Sequence, residues 1–70
     1  MVYTVDMTWD EEAEVWVAIN EEIPIILESP SFDELIERVK LAAPELLELN
    51  GLTADNSHLC FIVAHFERIA

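Results

Sequence analysis

The sequence predicts one α+β domain in which three strands are followed by a helix and a fourth strand. Three observations support this prediction: the first part of the chain alternates between apolar and other residues, the middle part repeats apolar residues every three or four positions, and a short apolar run comes near the end. Alternation is typical of a half-buried strand, and the longer spacing of an amphipathic helix. A chain of 70 residues is long enough for one such domain and too short for two.

The first two strands, over residues 2–9 and 14–19, are predicted to form an antiparallel hairpin. Asp10 is suited to open the turn between them because its side chain can accept hydrogen bonds from backbone N–H groups. In the second strand Val15 and Val17 are expected to face the helix. Trp16 is then expected to lie on the opposite face, which the helix leaves uncovered, as is Ala18.

A third strand is predicted over residues 23–28, at the outside of the sheet, because Pro24 lacks an N–H group and belongs at a strand start or on an edge. A right-handed crossover through the helix returns the chain beside strand 1. This gives the sheet order 3-2-1-4, with strand 4 parallel to strand 1. One helix can cover only one face of such a sheet, so the other face is left to solvent, a second subunit or a partner.

The helix is predicted to begin at about Phe32. Ser31 and Glu34 match a capping box, in which each side chain satisfies a free backbone N–H group of the other residue. The pair Asn50-Gly51 is a typical helix end. Pro44 lies within the pattern and is expected to kink the helix or to divide it into two pieces.

The fourth strand is predicted over residues 58–69. Its middle is apolar on both sides, which is typical of a strand that is more covered than its neighbours. Cys60 lies in this run and has no second cysteine to pair with. We therefore expect it to be a buried thiol in a reducing cytoplasm.

The charge is strongly negative, with 15 Asp and Glu against 3 Lys and Arg, and a formal net charge of −12. So few cations cannot neutralise several phosphates, which disfavours direct binding of nucleic acid or anionic lipid. An apolar content of 53% excludes disorder. Residues 1–9 lack the features of a secretion signal, and no run of the chain approaches the length of a membrane span, so a cytoplasmic protein is expected.

Four segments carry a family resemblance: WDEEAEVWVA at residues 9–18, EIP at 22–24, SFDELI at 31–36 and APELLELNG at 43–51. They resemble the small HicB-like family of uncharacterised bacterial proteins. The resemblance implies the partial ribonuclease-H-like βββαβ domain of HicB antitoxins. That domain binds HicA, a small basic mRNA interferase with a double-stranded-RNA-binding fold, and blocks its catalytic histidine. HicB proteins usually have Pro-Gly where this chain has Pro24-Ile25, and no separate DNA-binding domain is expected after the fourth strand.

No catalytic, cofactor-binding or metal-binding residue is predicted. A metal-binding carboxylate cluster would need acids from strand 1, the helix and strand 4 to converge, and the candidates are Asp6, Glu37 and Glu67. Alternation, however, places Asp6 on the side of the sheet away from the helix. His58 and His65 are too far apart to share one ion, because six residues separate them in a strand. A single glycine leaves no Gly-rich phosphate loop.

The candidate protein-binding residues are one tryptophan and six acids. A large ring on an uncovered sheet face is typical of an interface anchor, although neighbouring side chains could equally shield it. The acids would attract a basic protein, or would simply be solvated and protect a sheet edge. The residues are Trp16, Glu11, Glu12, Glu14, Glu21, Glu22 and Glu28.

The leading hypothesis is therefore a non-enzymatic, antitoxin-like module that binds a small basic protein such as a HicA-type mRNA interferase. An alternative is an orphan homodimeric structural or regulatory domain, in which the bare sheet face pairs with itself and no toxin is bound. An acid-metal nuclease is the least favoured hypothesis.

Overall fold

The fold is one mixed four-stranded sheet with a single helix on one face. The computed structural model describes residues 1–64 and 69. Its elements in chain order are β1 (Val2–Asp10), β2 (Val15–Asn20), β3 (Ile25–Ser29), α1 (Phe32–Leu49) and β4 (His58–Ala64). The sheet order is β3-β2-β1-β4, with β1 antiparallel to β2 and parallel to β4. The predicted α+β class, element order and sheet order are confirmed.

The turn between β1 and β2 is opened by Asp10, as predicted. Its Oδ1 atom accepts hydrogen bonds from the backbone N–H groups of Glu12, at 3.0 Å, and Ala13, at 3.2 Å. Glu14 closes the turn in the left-handed region, with a φ of 55°. The turn thereby pairs Asp10 with Val15 and fixes the register of the whole hairpin.

This register reverses the predicted faces of β2. Trp16 lies opposite Trp9, and Ala18 lies opposite the buried Met7, so both face the helix. The prediction that Trp16 and Ala18 lie on the uncovered face is therefore wrong. Alternation separates the residues of a strand into two sets, but only the register with a neighbouring strand decides which set meets the core. Val17 belongs to the other set, although its β-branched side chain suits a core position equally well.

The turn between β2 and β3 is organised by Asn20, a buried polar residue. Its Nδ2 atom donates to the carbonyl oxygen of Thr4 on β1, and its Oδ1 atom accepts from the N–H of Ile23 at 2.7 Å. Ile23 is buried in this turn, and Pro24 follows it. β3 therefore begins at Ile25, two residues later than predicted.

The start of α1 is capped by Ser31, whose Oγ atom accepts from the N–H of Glu34 at 3.3 Å. The second half of the predicted capping box is replaced, because the N–H of Ser31 donates to the Oγ atom of the buried Ser29 at 3.1 Å. The helix end is a Schellman motif around Gly51, which has a φ of 74°. There Gly51 N–H donates to the carbonyl of Glu48, and Leu52 N–H to that of Leu47.

The helix runs without interruption through Pro44, so the predicted division into two pieces does not occur. The buried side chains of α1 recur every four residues, which gives one apolar stripe. This stripe packs mainly over β2 and β3. The core consists of Tyr3, Val5, Met7, Ala18, Ile23, Ile25, Leu35, Val39, Ala43 and Leu47.

β4 is an edge strand, and none of its residues is buried. The prediction that it is more covered than its neighbours is therefore wrong, as is the prediction of a buried thiol, because Cys60 is exposed. The physical reason is that α1 packs over β2 and β3, so it covers the helix side of β4 only in part. Nothing among residues 1–64 covers the opposite face of the sheet. Of the predicted continuation to residue 69, residues 65–68 lie outside the described residues, and Ile69 is not in a strand.

Candidate protein-binding surfaces

The side chains that point away from α1 form a surface that we call the open face. At its centre one row crosses all four strands: Ile26 of β3 pairs with Ile19 of β2, Ile19 with Asp6 of β1, and Asp6 with Ile62 of β4. The isoleucines are 77%, 39% and 51% exposed, respectively. Neighbouring strands are about 4.8 Å apart, so the row extends for roughly 14 Å. The open face thus offers an apolar strip interrupted by one carboxylate.

The next row of the open face is more polar. It consists of Glu28, Val17, Thr8 and Ala64, again in register across the four strands. Asp6 on the inner strand β1 and Glu28 on the edge strand β3 make the open face negative. None of the four described strands contains a lysine or an arginine, so no basic side chain of these strands offsets that charge.

The predicted acidic residues lie at three places. Glu11, Glu12 and Glu14 are in the β1–β2 turn, Glu21 and Glu22 are in the β2–β3 turn, and Glu28 is on the open face itself. The two turns are at opposite ends of β2, about 20 Å apart at ~3.3 Å per residue. The acids therefore do not form one rim beside the edge strand. They border the open face at both ends.

Trp16, the predicted anchor, belongs to the other layer. It is half-buried and packs against the core, where its ring meets Trp9 at a centroid distance of 5.6 Å and Phe32 at 4.9 Å. Both contacts are edge-to-face, a favourable geometry for aromatic pairs. Trp16 thus joins the hairpin to the start of the helix and does not lie on the open face.

The two described side chains with permanent positive charge are both on the helix. Lys40 Nζ lies 3.2 Å from Glu37 Oε1, with both side chains largely exposed. Arg38 Nη1 donates to the carbonyl oxygen of Glu28 at 2.8 Å and so reaches the β3 edge. Lys40 therefore lies on the helix side of the domain, whereas Arg38 brings one positive charge to the β3 edge of the sheet.

A groove of about 480 Å³ lies on the helix side, between the second half of α1 and β4. It exists because α1 packs over β2 and β3 and leaves the inner side of β4 partly uncovered. Its walls are mostly apolar, with a few polar side chains. The lining residues are Tyr3, Lys40, Ala43, Pro44, Leu47, Ala54, Ser57, His58, Leu59 and Phe61.

The acids and histidines of the described part of the chain are dispersed. Residues 1–64 and 69 contain no group of three His, Cys, Asp or Glu side chains that could hold a metal ion. Asp6 is on the open face and Glu37 on the helix, on opposite sides of the sheet as predicted. His65 and Glu67 lie outside the described residues. Among the helices described, none has the length and apolar character needed to cross a membrane.

The sequence reasoning missed the isoleucines of the open face as binding candidates. The signal was present in the adjacent pair Ile25-Ile26, because a strand that carries large apolar residues at consecutive positions must expose one of them when only one face is covered. Ile62 and Val63 in β4 give the same signal. Assigning the exposed member of each pair required the register.

Two comparisons place the chain among known proteins. Residues 2–69 match the family model described as a domain of unknown function, DUF1902. The fold is similar to the crystal structure of a hypothetical protein, TTHA1013, from the extremely thermophilic bacterium Thermus thermophilus. That similarity has a TM-score of 0.75 and 30% sequence identity, over 100% of this chain and 99% of that chain. A comparison with curated proteins finds no match. Neither match names HicB.

Proposed function

We propose that this chain, which belongs to the DUF1902 family of domains of unknown function, is a non-enzymatic module that binds a small basic protein on its open face. The observation that supports this most strongly is the row formed by Ile26, Ile19, Asp6 and Ile62. It combines exposed apolar area with a central negative charge in a chain whose net charge is −12.

The apolar part of the row would supply the buried contact. Ile26 is 77% exposed and Ile62 is 51% exposed, and both lie in hydrogen-bonded strands of the sheet. Contiguous apolar surface on a sheet is a typical site of protein association, since burying it removes it from water. Strand positions also hold these side chains in place before binding, which lowers the entropic cost of association.

The charges would select the partner. Asp6 lies between Ile19 and Ile62, so a partner's Lys or Arg side chain could pair with it while apolar groups cover both neighbours. Such a pair would be largely withdrawn from water, where leaving Asp6 unpaired would be unfavourable. The acids in the two turns would attract and orient a basic protein over the face. An acidic partner would be repelled by the same groups.

The resemblance to HicB-like proteins suggests a specific partner, a HicA-type mRNA interferase. In that case inhibition would be steric and electrostatic. The open face would cover the surface with which the toxin binds RNA, and its carboxylates would replace RNA phosphates beside the toxin's cations. This role would require no catalytic side chain.

The test is co-purification of the tagged chain with the product of the neighbouring gene, where that gene encodes a small basic protein, at low and at high salt. Binding is expected at low salt and should weaken as salt screens the charges. Ile26→Ala should weaken binding by about tenfold, since it removes exposed apolar contact area from the interface. Leu41→Ala is the matched control, because Leu41 is similarly exposed, at 74%, but lies on the helix.

Failure to co-purify at low salt would contradict the proposal. Equal effects of Ile26→Ala and Leu41→Ala would contradict the assignment of the open face. Self-association through the open face without a basic partner would favour the alternative of an orphan homodimer. In that alternative Ile26→Ala would weaken the chain's own dimer.

A further inference from the structure

The two edges of the sheet differ in how they are protected against pairing with another strand. β3 has five residues, lies between Pro24 and Pro30, and carries Glu28. The carbonyl of Glu28 already accepts a hydrogen bond from Arg38. A short strand, flanking prolines and a charge are the usual devices that keep an edge from pairing. The β3 edge is therefore blocked.

β4 has none of these devices. Its seven residues include no proline and no Asp, Glu, Lys or Arg. Apolar side chains are exposed on both of its faces, since Ile62 is 51% exposed on the open face and Val63 is 49% exposed on the helix side. A long, uncharged and apolar edge is the kind that pairs with another strand.

The hydrogen-bonding groups on this edge can be assigned. The N–H of His58 donates to the carbonyl of Met1 at 2.9 Å, so His58 directs its backbone groups toward β1. Backbone groups of successive residues in a strand point to opposite sides. Leu59, Phe61 and Val63 therefore direct their N–H and C=O groups outward from the sheet.

We propose that β4 pairs antiparallel with β4 of a second copy of this chain, so that the two sheets join into one continuous sheet. This inference goes beyond the proposed function and does not depend on it. In the joined sheet the open faces of both copies lie side by side and stay accessible to a partner.

The charge distribution argues for a second copy as the occupant. Two chains that each carry −12 repel each other, and they can approach most closely where neither has a carboxylate. Of the two edge strands, β4 meets this condition, since β3 carries Glu28 and β4 carries no carboxylate. The nearest strand carboxylate is Asp6 on β1, one strand from this edge, and in the joined sheet the Asp6 residues of the two copies are three strand spacings apart, at least about 14 Å. A basic partner, in contrast, would find no counter-charge in the β4 strand itself.

The positions of the outward groups also fix the register. A two-fold axis at Phe61 pairs Phe61 with its own copy and Leu59 with Val63 of the second copy, which uses all three outward-facing residues. Cys60 then lies opposite Ile62 of the second copy, on the open face. Both helices lie on the same side of the joined sheet, and the two grooves beside β4 become neighbours.

The first test is the mass of the full chain in solution over a range of concentrations. A dimer is expected, and Val63→Pro should weaken it by about tenfold or more, because proline removes one outward N–H group in each copy. Val63→Ala is the matched control, since it shortens the same side chain and keeps the N–H group. Circular dichroism of each variant checks that the fold is retained.

The second test is independent of any destabilisation by proline. Ile62→Cys places a thiol opposite Cys60 of the second copy, in a non-hydrogen-bonded pair whose spacing suits a disulfide. Mild oxidation should convert this variant to a covalent dimer. The wild-type chain should not cross-link, because its two Cys60 side chains would be diagonal neighbours about 7–8 Å apart. Ile19→Cys, on the open face but two strands from the edge, should not cross-link either.

A chain that remains monomeric at high concentration would overturn the proposal, as would a dimer that forms equally well with Val63→Pro and does not cross-link through Ile62→Cys. Cross-linking through Ile19→Cys would instead indicate pairing of open faces. If the chain dimerises through β4 but binds no basic protein, the proposed function alone is rejected. If the chain binds a basic protein but stays monomeric, this inference alone is rejected.

Discussion

Trp9 and Trp16 meet edge to face across the first hairpin, with ring centroids 5.6 Å apart and ring planes inclined at 62°. The ring of Phe32, at the start of α1, meets Trp16 at 4.9 Å. These contacts join the hairpin to the helix at the end of the sheet where β1 ends and β2 begins. They also hold Trp16 on the helix side, so Val17 and Ile19 come to lie on the open face.

Replacing Trp16 should test this arrangement. Trp16→Ala removes the contacts with Trp9 and Phe32 and should lower the free energy of unfolding by about 2–4 kcal/mol, the cost of deleting a large, partly buried side chain. Urea denaturation measures the change. Val17→Ala on the neighbouring position should cost less than half as much, because Val17 faces away from the helix. Equal losses for the two variants would contradict the assignment of faces.

Asn20 should be needed for the β2–β3 turn. Asn20→Ala removes the hydrogen bond to the Thr4 carbonyl and leaves the N–H of Ile23 without its side-chain acceptor. The expected loss of unfolding free energy is about 2 kcal/mol, since the groups left behind are withdrawn from water. Asn50→Ala is the control. Its side chain also donates to a carbonyl, that of Leu46, but in an exposed position, so its loss should be clearly smaller.

The hydrogen bonds at the start of α1 differ from those of a full capping box, and substitutions can test the difference. Ser31→Ala should lower the free energy of unfolding by about 1 kcal/mol, and Ser31→Asp should restore most of it. Glu34→Ala should cost clearly less than Ser31→Ala, because the N–H of Ser31 already donates to Ser29 Oγ. A loss with Glu34→Ala as large as that with Ser31→Ala would show that the reciprocal half of the box exists. Thermal or urea unfolding of the three variants decides the point.

Substitutions at Gly51 should be unfavourable because of its backbone conformation, and not because a larger side chain would clash. A Cβ atom added there would meet nothing within 4 Å, but the φ of 74° is unfavourable for residues with a side chain. Gly51→Ala should therefore lower the free energy of unfolding by about 1 kcal/mol. Gly51→Asn should cost less, since asparagine tolerates this region better. A neutral Gly51→Ala in urea denaturation would contradict the conformational argument.

Local sequence signals account for much of the fold. The turn at Asp10, the cap at Ser31 and the helix end at Gly51 are each recognisable from a few residues, because their hydrogen bonds are made to neighbours in the chain. The sheet order 3-2-1-4 followed from the rules on hairpins and crossovers. These features depend on local chemistry and on connectivity, both of which can be read from sequence.

The candidate site was harder to predict, because it depends on which side of each strand meets the helix. Trp16 and Ala18 form one set in β2, and Val17 and Ile19 form the other, and apolarity alone cannot decide between them. Cys60 and its apolar neighbours suggested a covered strand, yet β4 is at the edge, beyond the area that α1 covers. Both errors concern tertiary packing, which places the exposed isoleucines on the open face.

The central claim is that the open face binds a basic protein. It is tested most directly by calorimetric titration of the small basic protein from the neighbouring gene into two charge variants of this chain. Glu28→Gln removes one charge from the open face, and Glu45→Gln removes the same charge from the helix. Glu28→Gln should weaken binding several-fold and reduce its dependence on salt, while Glu45→Gln should leave both nearly unchanged. Equal weakening by the two variants would mean that only the overall charge of the chain matters, and it would contradict binding at the open face.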